Sequence, residues 1–380
     1  MKVLVLFDYP SSPGGLSTQG DLLYRGLMEA GVETQAVHFR SSQEKEWYYR
    51  WFKPDLAVGV GYWGYTPQLV LHPGQFGILP LPWLVADGYI ANHQQALNEL
   101  PLILVTSQWV KEMYVRDGIR AEIIEVLPVG CDTDAFNPKG QQEEKVRVLR
   151  ESFGIHPDQL MILTAGGDAT SKGAQEVMHA LARIDNVVPD WKYVCKVWPQ
   201  QRTQIQNIAD LKLANELGIS SKVFYSTGIN SRNFMPYLLA ACDIYAAPSR
   251  LEGFGMIQVE AGACEKPVIG INAMGMLDTL IHGETALLAN VATKIVTNEV
   301  VIPDECDLQQ ECKVIFDHPR TVDYRANVQD ISRYLQELMT DENLRVTMGK
   351  AARKHVTANF DYRVVAKRFI EIVNEKLGIY

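Results

Sequence analysis

The 380-residue sequence has no C-x-x-C pair and no Cys/His cluster at metal-ligand spacing. Its six cysteines, at 131, 195, 242, 264, 306 and 312, are scattered. That excludes a zinc ribbon or a disulfide scaffold and reads as reduced thiols in a cytoplasm. Excess positive charge is also missing: 36 Lys+Arg against 45 Asp+Glu leave a formal net charge of -9. Residues 1–140 hold ten Lys+Arg against fifteen Asp+Glu, a net of -5, so no basic half hides inside the acidic total. Nucleic acid and anionic membranes are disfavoured as main partners. No apolar run approaches the roughly 20 residues that cross a bilayer. The longest candidate, FGILPLPWLVADGYI, is broken by prolines and an aspartate, so an integral membrane protein is not expected. Met1-Lys2 runs straight into VLVLF without a basic leader or small-residue cleavage site, the pattern of a mature start rather than a secretory signal. Internal repeats and low-complexity tracts are absent too.

With 47% hydrophobic and 21% charged residues, the chain has ordinary globular composition and length enough for two cores. Short apolar, β-branched runs alternate with longer amphipathic stretches, the signature of βα units on parallel sheets. The first series of strands reads KVLVLFD, ETQAVHF, DLAVGVG, PWLVADG, LILVTS and EIIEVLP, with helices such as Leu16 to Ala30 and Gln108 to Arg116. The second reads MILTAGG, KYVCKVW, KVFYSTG, DIYAAPS and PVIGINA, with helices such as Gln175 to Arg183 and Gln201 to Leu217. GCDTDAFNPKGQQ between them has linker composition. The expected fold is therefore α/β, with two Rossmann-like doubly wound domains: 1–140, joined by a C-terminal helix within 361–380, and 155–360. An insertion at about 290–325, with a short strand or two, interrupts the second. The final stretch DYRVVAKRFIEIVNEKL is an amphipathic helix.

Open α/β sheets bind ligands beyond the carboxyl ends of their strands. Just after DIYAAPS come Glu252 and Glu260, eight positions apart across Gly253-Phe254-Gly255. Glycine lets the backbone approach an anion near a helix start, and a carboxylate accepts paired hydrogen bonds from vicinal hydroxyls. Two carboxylates around such a turn suit the two sugars of a nucleotide sugar. Equally, one is a solvated loop residue and the other a helix-face glutamate.

The stretch EGFGMIQVEAGACEKPVIG closely resembles the E-x7-E segment of retaining glycosyltransferases of family 4. The resemblance extends through TSQWVKEMYVRDGI, LPVGCDTDAFNP, SKGAQEVMHAL, VFYSTG, IHGETALL and DENLRVTMGKAARKHVTANFDYRVVAKRF, most of the chain except roughly residues 40–75 and the insertion. It implies the GT-B fold: two Rossmann-like domains facing a cleft, the N-terminal one for acceptor and the C-terminal one for donor, with the last helix crossing back. It further implies that Glu260 binds the ribose hydroxyls, that Glu252 lies by the donor sugar, and that backbone amides of Gly253, Phe254, Gly255, Met256 and Ile257 hold phosphates and sugar. Lys172, in GGDATSKGAQE, matches the lysine that neutralises the departing diphosphate. Gly14 and Gly15 match the glycine pair after the first strand, and Thr227 and Gly228 the region near the base.

The sequence departs from the family in three places. Gly167 stands where relatives usually carry a phosphate-binding arginine, so Arg250 or Arg202 substitutes or leaving-group stabilisation is weaker. Asp87 ends PWLVADG where many relatives have histidine, and would contact the transferred sugar. Asp278 replaces the usual glutamate after a glycine-rich turn. Of two aromatic clusters, EWYYRWF suggests packing, with Trp47 and Trp51 one turn apart, while Tyr62, Trp63 and Tyr65 of GYWGY are candidates for the acceptor pocket because rings stack on sugars.

The implied activity moves a hexose from a nucleoside-diphosphate sugar to an acceptor hydroxyl with retention. Lys172, Glu252 and Asp87 are its catalytic candidates. No D-x-D-type motif lies in a plausible site, so neither metal nor cofactor beyond the nucleotide sugar is expected. The alternatives are a GT-B nucleotide-sugar epimerase and a non-catalytic nucleotide-sugar-binding protein. DYPSSPGGLSTQG lacks the G-x-G-x-x-G spacing of a dinucleotide-dependent oxidoreductase.

Overall fold

A computed structural model describes residues 1–140, 143–302 and 312–380, apart from the side chains of residues 202 and 312. Cys306 and the side chains of Cys312 and Arg202 fall outside it. The chain divides into two compact units: Met1–Gly130 with Val296–Val322 and Asn359–Tyr380, and Cys131–Ile295 with Asp323–Ala358.

The first unit is built on a six-stranded sheet of β1 (Lys2–Phe7), β2 (Glu33–His38), β3 (Leu56–Tyr62), β4 (Leu79–Val85), β5 (Ile103–Val105) and β6 (Ile124–Val126). Their order is β2-β1-β3-β4-β5-β6 and every pair is parallel. Strands covered by helices on both faces lose the polar alternation of a half-exposed strand; accordingly Val3, Leu4, Val5 and Leu6 are each 0% exposed. The last helix, Tyr362–Leu377, packs on the helix Gly15–Glu29. A Cβ at Gly26 would fall 2.7 Å from that of Ala366, so the glycine permits the close approach, and the Tyr362 hydroxyl donates to Glu29 at 2.6 Å.

The second unit holds β7 (Leu160–Ala165), β8 (Trp191–Val197), β9 (Val223–Thr227), β10 (Ile244–Ala246), β11 (Val268–Ile271) and β12 (Ala286–Ala289), in the order β12-β11-β10-β7-β8-β9. All pairs are again parallel. β12 adds a strand that the sequence reading did not place. The insertion forms two long strands, β13 (Val291–Ile302) and β14 (Cys312–Ala326), paired as a separate sheet. Among the described residues no helix is long and apolar enough to cross a membrane.

Candidate functional site

In each sheet the strand order reverses once. Loops at such a point leave to opposite faces and open a crevice at the carboxyl ends of the strands. In the second unit the reversal lies between β7 and β10, neighbours in the sheet although β8 and β9 separate them in sequence. Their following loops carry Lys172 and Glu252. The Lys172 Nζ donates to Glu252 Oε2 at 2.6 Å, with side chains 22% and 18% exposed. The backbone holds this pair in register: the Arg250 amide donates to the Ser171 carbonyl at 2.8 Å, and the Gly255 amide to Glu252 Oε1 at 3.2 Å.

Two glycines explain why the loop is shaped this way. Gly255, which caps the helix Met256–Ala263, sits at φ 90, where a side chain is strained. A Cβ at Gly275 would come within 2.1 Å of the Gly253 carbonyl oxygen, so only glycine lets the two loops lie against each other. Phe254 is buried, anchoring the turn, while Gly253, Met256 and Ile257 remain half-buried. Asp278 belongs to the short helix Met276–Thr279 that follows Gly275.

Glu260 lies on the helix that Gly255 opens, its side chain only 2% exposed. Arg232 donates to its Oε1, and its Oε2, also buried, has no partner among the described residues. Burial pushes this carboxyl above its ordinary range; the Arg232 guanidinium opposes that shift and Asp132 adds to it. Arg232 is itself steadied over the Phe136 ring, 4.7 Å from its centroid. The buried Tyr245 phenol is raised chiefly by burial, and the charges of Glu252 and Glu260 add to the shift. Thr227 ends β9 at the surface, and Gly228 is tied to β8 by its amide, which donates to the Val197 carbonyl at 3.0 Å.

Arg250 is engaged within the protein. Its guanidinium, 7% exposed, donates to Glu176 at 3.0 Å and to Gln175 Oε1 at 2.9 Å. Arg325 adds a second cation to Glu176 at 3.3 Å, and the Tyr324 amide donates to the Arg250 carbonyl at 2.7 Å. In this structure Arg250 braces the Glu252 loop. Among the described residues no group of three or more His, Cys, Asp or Glu is arranged to hold a metal ion.

In the first unit the order reverses between β1 and β3. Gly14 precedes the helix Gly15–Glu29 in an extended conformation, and a Cβ there would meet nothing within 4 Å. After β3, the Tyr62 and Tyr65 rings pack at 4.5 Å and stay half-exposed, whereas Trp63 is 5% exposed and packs inward. Asp87 is exposed just beyond β4. Trp47 and Trp51 stack on each other at 5.0 Å and remain 54% and 60% exposed, so their packing is mutual rather than into the core.

Sequence reading missed Arg232 and Arg40. Arg232 belongs to no motif; its one signal is a basic residue soon after a strand end. Arg40 lies over the Phe39 and Tyr65 rings at 5.2 and 5.5 Å, directly after β2.

Residues 146–295 match the family model described as Glycosyl transferases group 1. The chain is 22% identical over 284 residues to the "GDP-mannose-dependent alpha-(1-6)-phosphatidylinositol monomannoside mannosyltransferase" of Mycolicibacterium smegmatis, covering 73% of this chain and 63% of that protein. It is 30% identical over 210 residues to the "MMP alpha-(1->4)-mannosyltransferase" of Mycolicibacterium hassiacum, covering 54% and 45%. The "D-inositol 3-phosphate glycosyltransferase" of Xylanimonas cellulosilytica is 29% identical over 198 residues, covering 51% and 46%. The chain thus spans between 45% and 63% of these relatives' lengths. Among solved structures, Anabaena Alr3699/HepE in complex with UDP and glucose superposes with a TM-score of 0.72 at 17% identity, covering 98% of this chain and 99% of that one. Sucrose-phosphate synthase from Thermosynechococcus elongatus gives 0.75 at 16%, covering 99% of each chain. These likenesses, at low identity, show the fold: two Rossmann-like domains of the GT-B type.

Proposed function

Because residues 146–295 match the Glycosyl transferases group 1 model, we propose that the chain moves a hexose from a nucleoside-diphosphate sugar to an acceptor hydroxyl with retention of anomeric configuration. The observation that carries this reading is the Lys172–Glu252 pair at the reversal point of the second sheet. Bond cleavage in such a donor leaves negative charge on the diphosphate, and an ammonium already fixed beside it stabilises that charge without reorganising at the moment of reaction. Glu252 fixes the ammonium, and the Gly255 amide fixes Glu252. Glu260, with one carboxylate oxygen held by Arg232 and the other unpartnered among the described residues, has an acceptor for a ribose hydroxyl. Front-face attack, in which the departing phosphate takes the acceptor proton, fits a site without a dedicated nucleophile. Asp87 offers a carboxylate to the transferred sugar, and Tyr62 and Tyr65, with Trp63 behind them, offer ring faces to the acceptor.

Unfolding should be followed against a panel of nucleoside-diphosphate sugars. A donor at 100 times its dissociation constant stabilises the fold by about 2.7 kcal/mol, and a protein that responds to none of them is not this enzyme. With the responding donor, Lys172→Ala should lower turnover by about 100- to 1000-fold. Unchanged turnover would remove Lys172 from the chemistry.

A further inference from the structure

Lys196 is the penultimate residue of β8 and only 5% exposed. A buried ammonium is costly unless something of opposite charge meets it. Among the described residues none does: its Nζ has no ion pair or hydrogen bond, and the Trp198 ring centroid lies 5.9 Å from it. Burial accordingly holds its pKa below the ordinary lysine range.

The surroundings of this cation are those of the donor site. In sheet register Lys196 stands between Ala165 of β7 and Ser226 of β9. Aligned residues of parallel strands share a face, so two small side chains flank the lysine. Its carbonyl accepts from the Gly166 amide at 3.1 Å, and a Cβ at Gly166 would fall 2.9 Å from Lys172 Cγ. The Trp198 amide donates to the Gly167 carbonyl at 2.9 Å. The atom nearest to a Cβ built at Gly167 belongs to the Trp198 indole, at 3.5 Å. An indole thus covers position 167, where the family resemblance would place an arginine, and a lysine from the adjacent strand holds its Nζ 5.9 Å from the centroid of the same ring.

We propose that Lys196 is a second cationic contact for the diphosphate of the donor, supplying from β8 the charge that Gly167 cannot. The proposal rests on the reading that the second unit binds a nucleoside diphosphate. It extends that reading to a residue on a strand no motif marks. A diphosphate oxygen within reach of Nζ gives the buried ammonium its missing counter-charge, so the interaction exists only when ligand is bound.

The test is calorimetric titration of UDP, GDP, uridine and guanosine into the wild type, Lys196→Met and Lys196→Arg, with unfolding midpoints recorded for each. For whichever diphosphate the wild type binds, Lys196→Met should weaken binding by about 10- to 100-fold. Affinity for the matching nucleoside should stay as it was, and Lys196→Arg should recover most of the loss. The methionine variant should unfold no earlier than the wild type, since an unpaired buried charge has been removed. Diphosphate binding indifferent to the methionine, a parallel loss of nucleoside binding, or a lowered midpoint would each overturn the role of Lys196 alone. Failure of the wild type to bind either diphosphate would remove the parent reading and this one with it.

Discussion

Replacing Arg232 by methionine isolates the interaction that keeps a fully buried carboxylate charged. Glu260 has a 2% exposed side chain and, among the described residues, one paired cation, Arg232, which is 39% exposed. Deleting one partner of a wholly buried pair typically costs about 3–5 kcal/mol. Here the guanidinium is partly solvated and water can follow its removal, so the loss should be nearer that of one charge-assisted hydrogen bond, about 1.5–3 kcal/mol. The pH dependence separates this cause from lost packing on Phe136. Without Arg232, the remaining influences on Glu260 are burial and Asp132, and both raise its pKa. A carboxyl titrating above its usual 4.5 keeps a proton in the folded chain that the unfolded chain has released. Stability is then highest below about 4.5 and falls as pH rises through the elevated value. The stability gap between wild type and Arg232→Met should therefore be small in acid and widen towards neutral pH, as read by denaturant unfolding at a series of pH values. Adding Glu260→Gln should close most of it, because no charge is then left buried. A gap of constant size across pH, or one the glutamine leaves untouched, would refute the reasoning and assign the loss to packing.

How much of this was legible in the sequence depends on how far apart the interacting residues lie. The helix Gln108–Arg116 was readable to the residue because its Ser107 cap and its apolar spacing are local. β12 escaped because Ala286–Ala289 is four buried residues without alternation, a run that periodicity cannot tell from a buried turn of helix. β13 and β14 were read as a short strand or two because most of β13 is exposed and carries no two-residue polarity pattern. What the distal insertion packs on was equally hidden: Arg320 pairs with Asp117 at 2.9 Å and Phe316 meets the Tyr89 ring at 5.6 Å, contacts between segments some 200 residues apart. The site followed the same rule. The E-x7-E spacing and the glycine turn are local, so they could be found; the ion pair joining Lys172 to Glu252 spans 80 residues. The engagement of Arg250 by Glu176 spans 74, and nothing near Arg250 in sequence hints that its guanidinium is already occupied.

Two further predictions concern the backbone and a buried base. Gly275→Ala would drive a Cβ to 2.1 Å from a carbonyl oxygen that cannot rotate away, so it should cost at least about 1–3 kcal/mol and abolish nucleoside-diphosphate binding in a titration; wild-type stability and affinity would show that the two loops part freely. Lys45 is 1% exposed, and its Nζ donates to the Gln68 carbonyl at 3.0 Å. Among the described residues no carboxylate lies within ion-pair distance of it. Burial brings its pKa from 10.5 down to about 8. Between those values the unfolded chain binds a proton that the folded chain does not, so this residue makes stability rise as pH increases from about 8 to 10.5. The same residue costs the fold up to about 3 kcal/mol at neutral pH. Lys45→Met should therefore be more stable than the wild type at pH 7 and lose that advantage by pH 10.5. After burial, the Lys45 charge is the next influence depressing His72, so the imidazole should titrate higher in the variant by NMR. If stability depended on alkaline pH identically in both proteins, the Lys45 amine would have to be solvated when the chain is folded, and its single bond to a carbonyl would be incidental rather than the compensation for burying a charge.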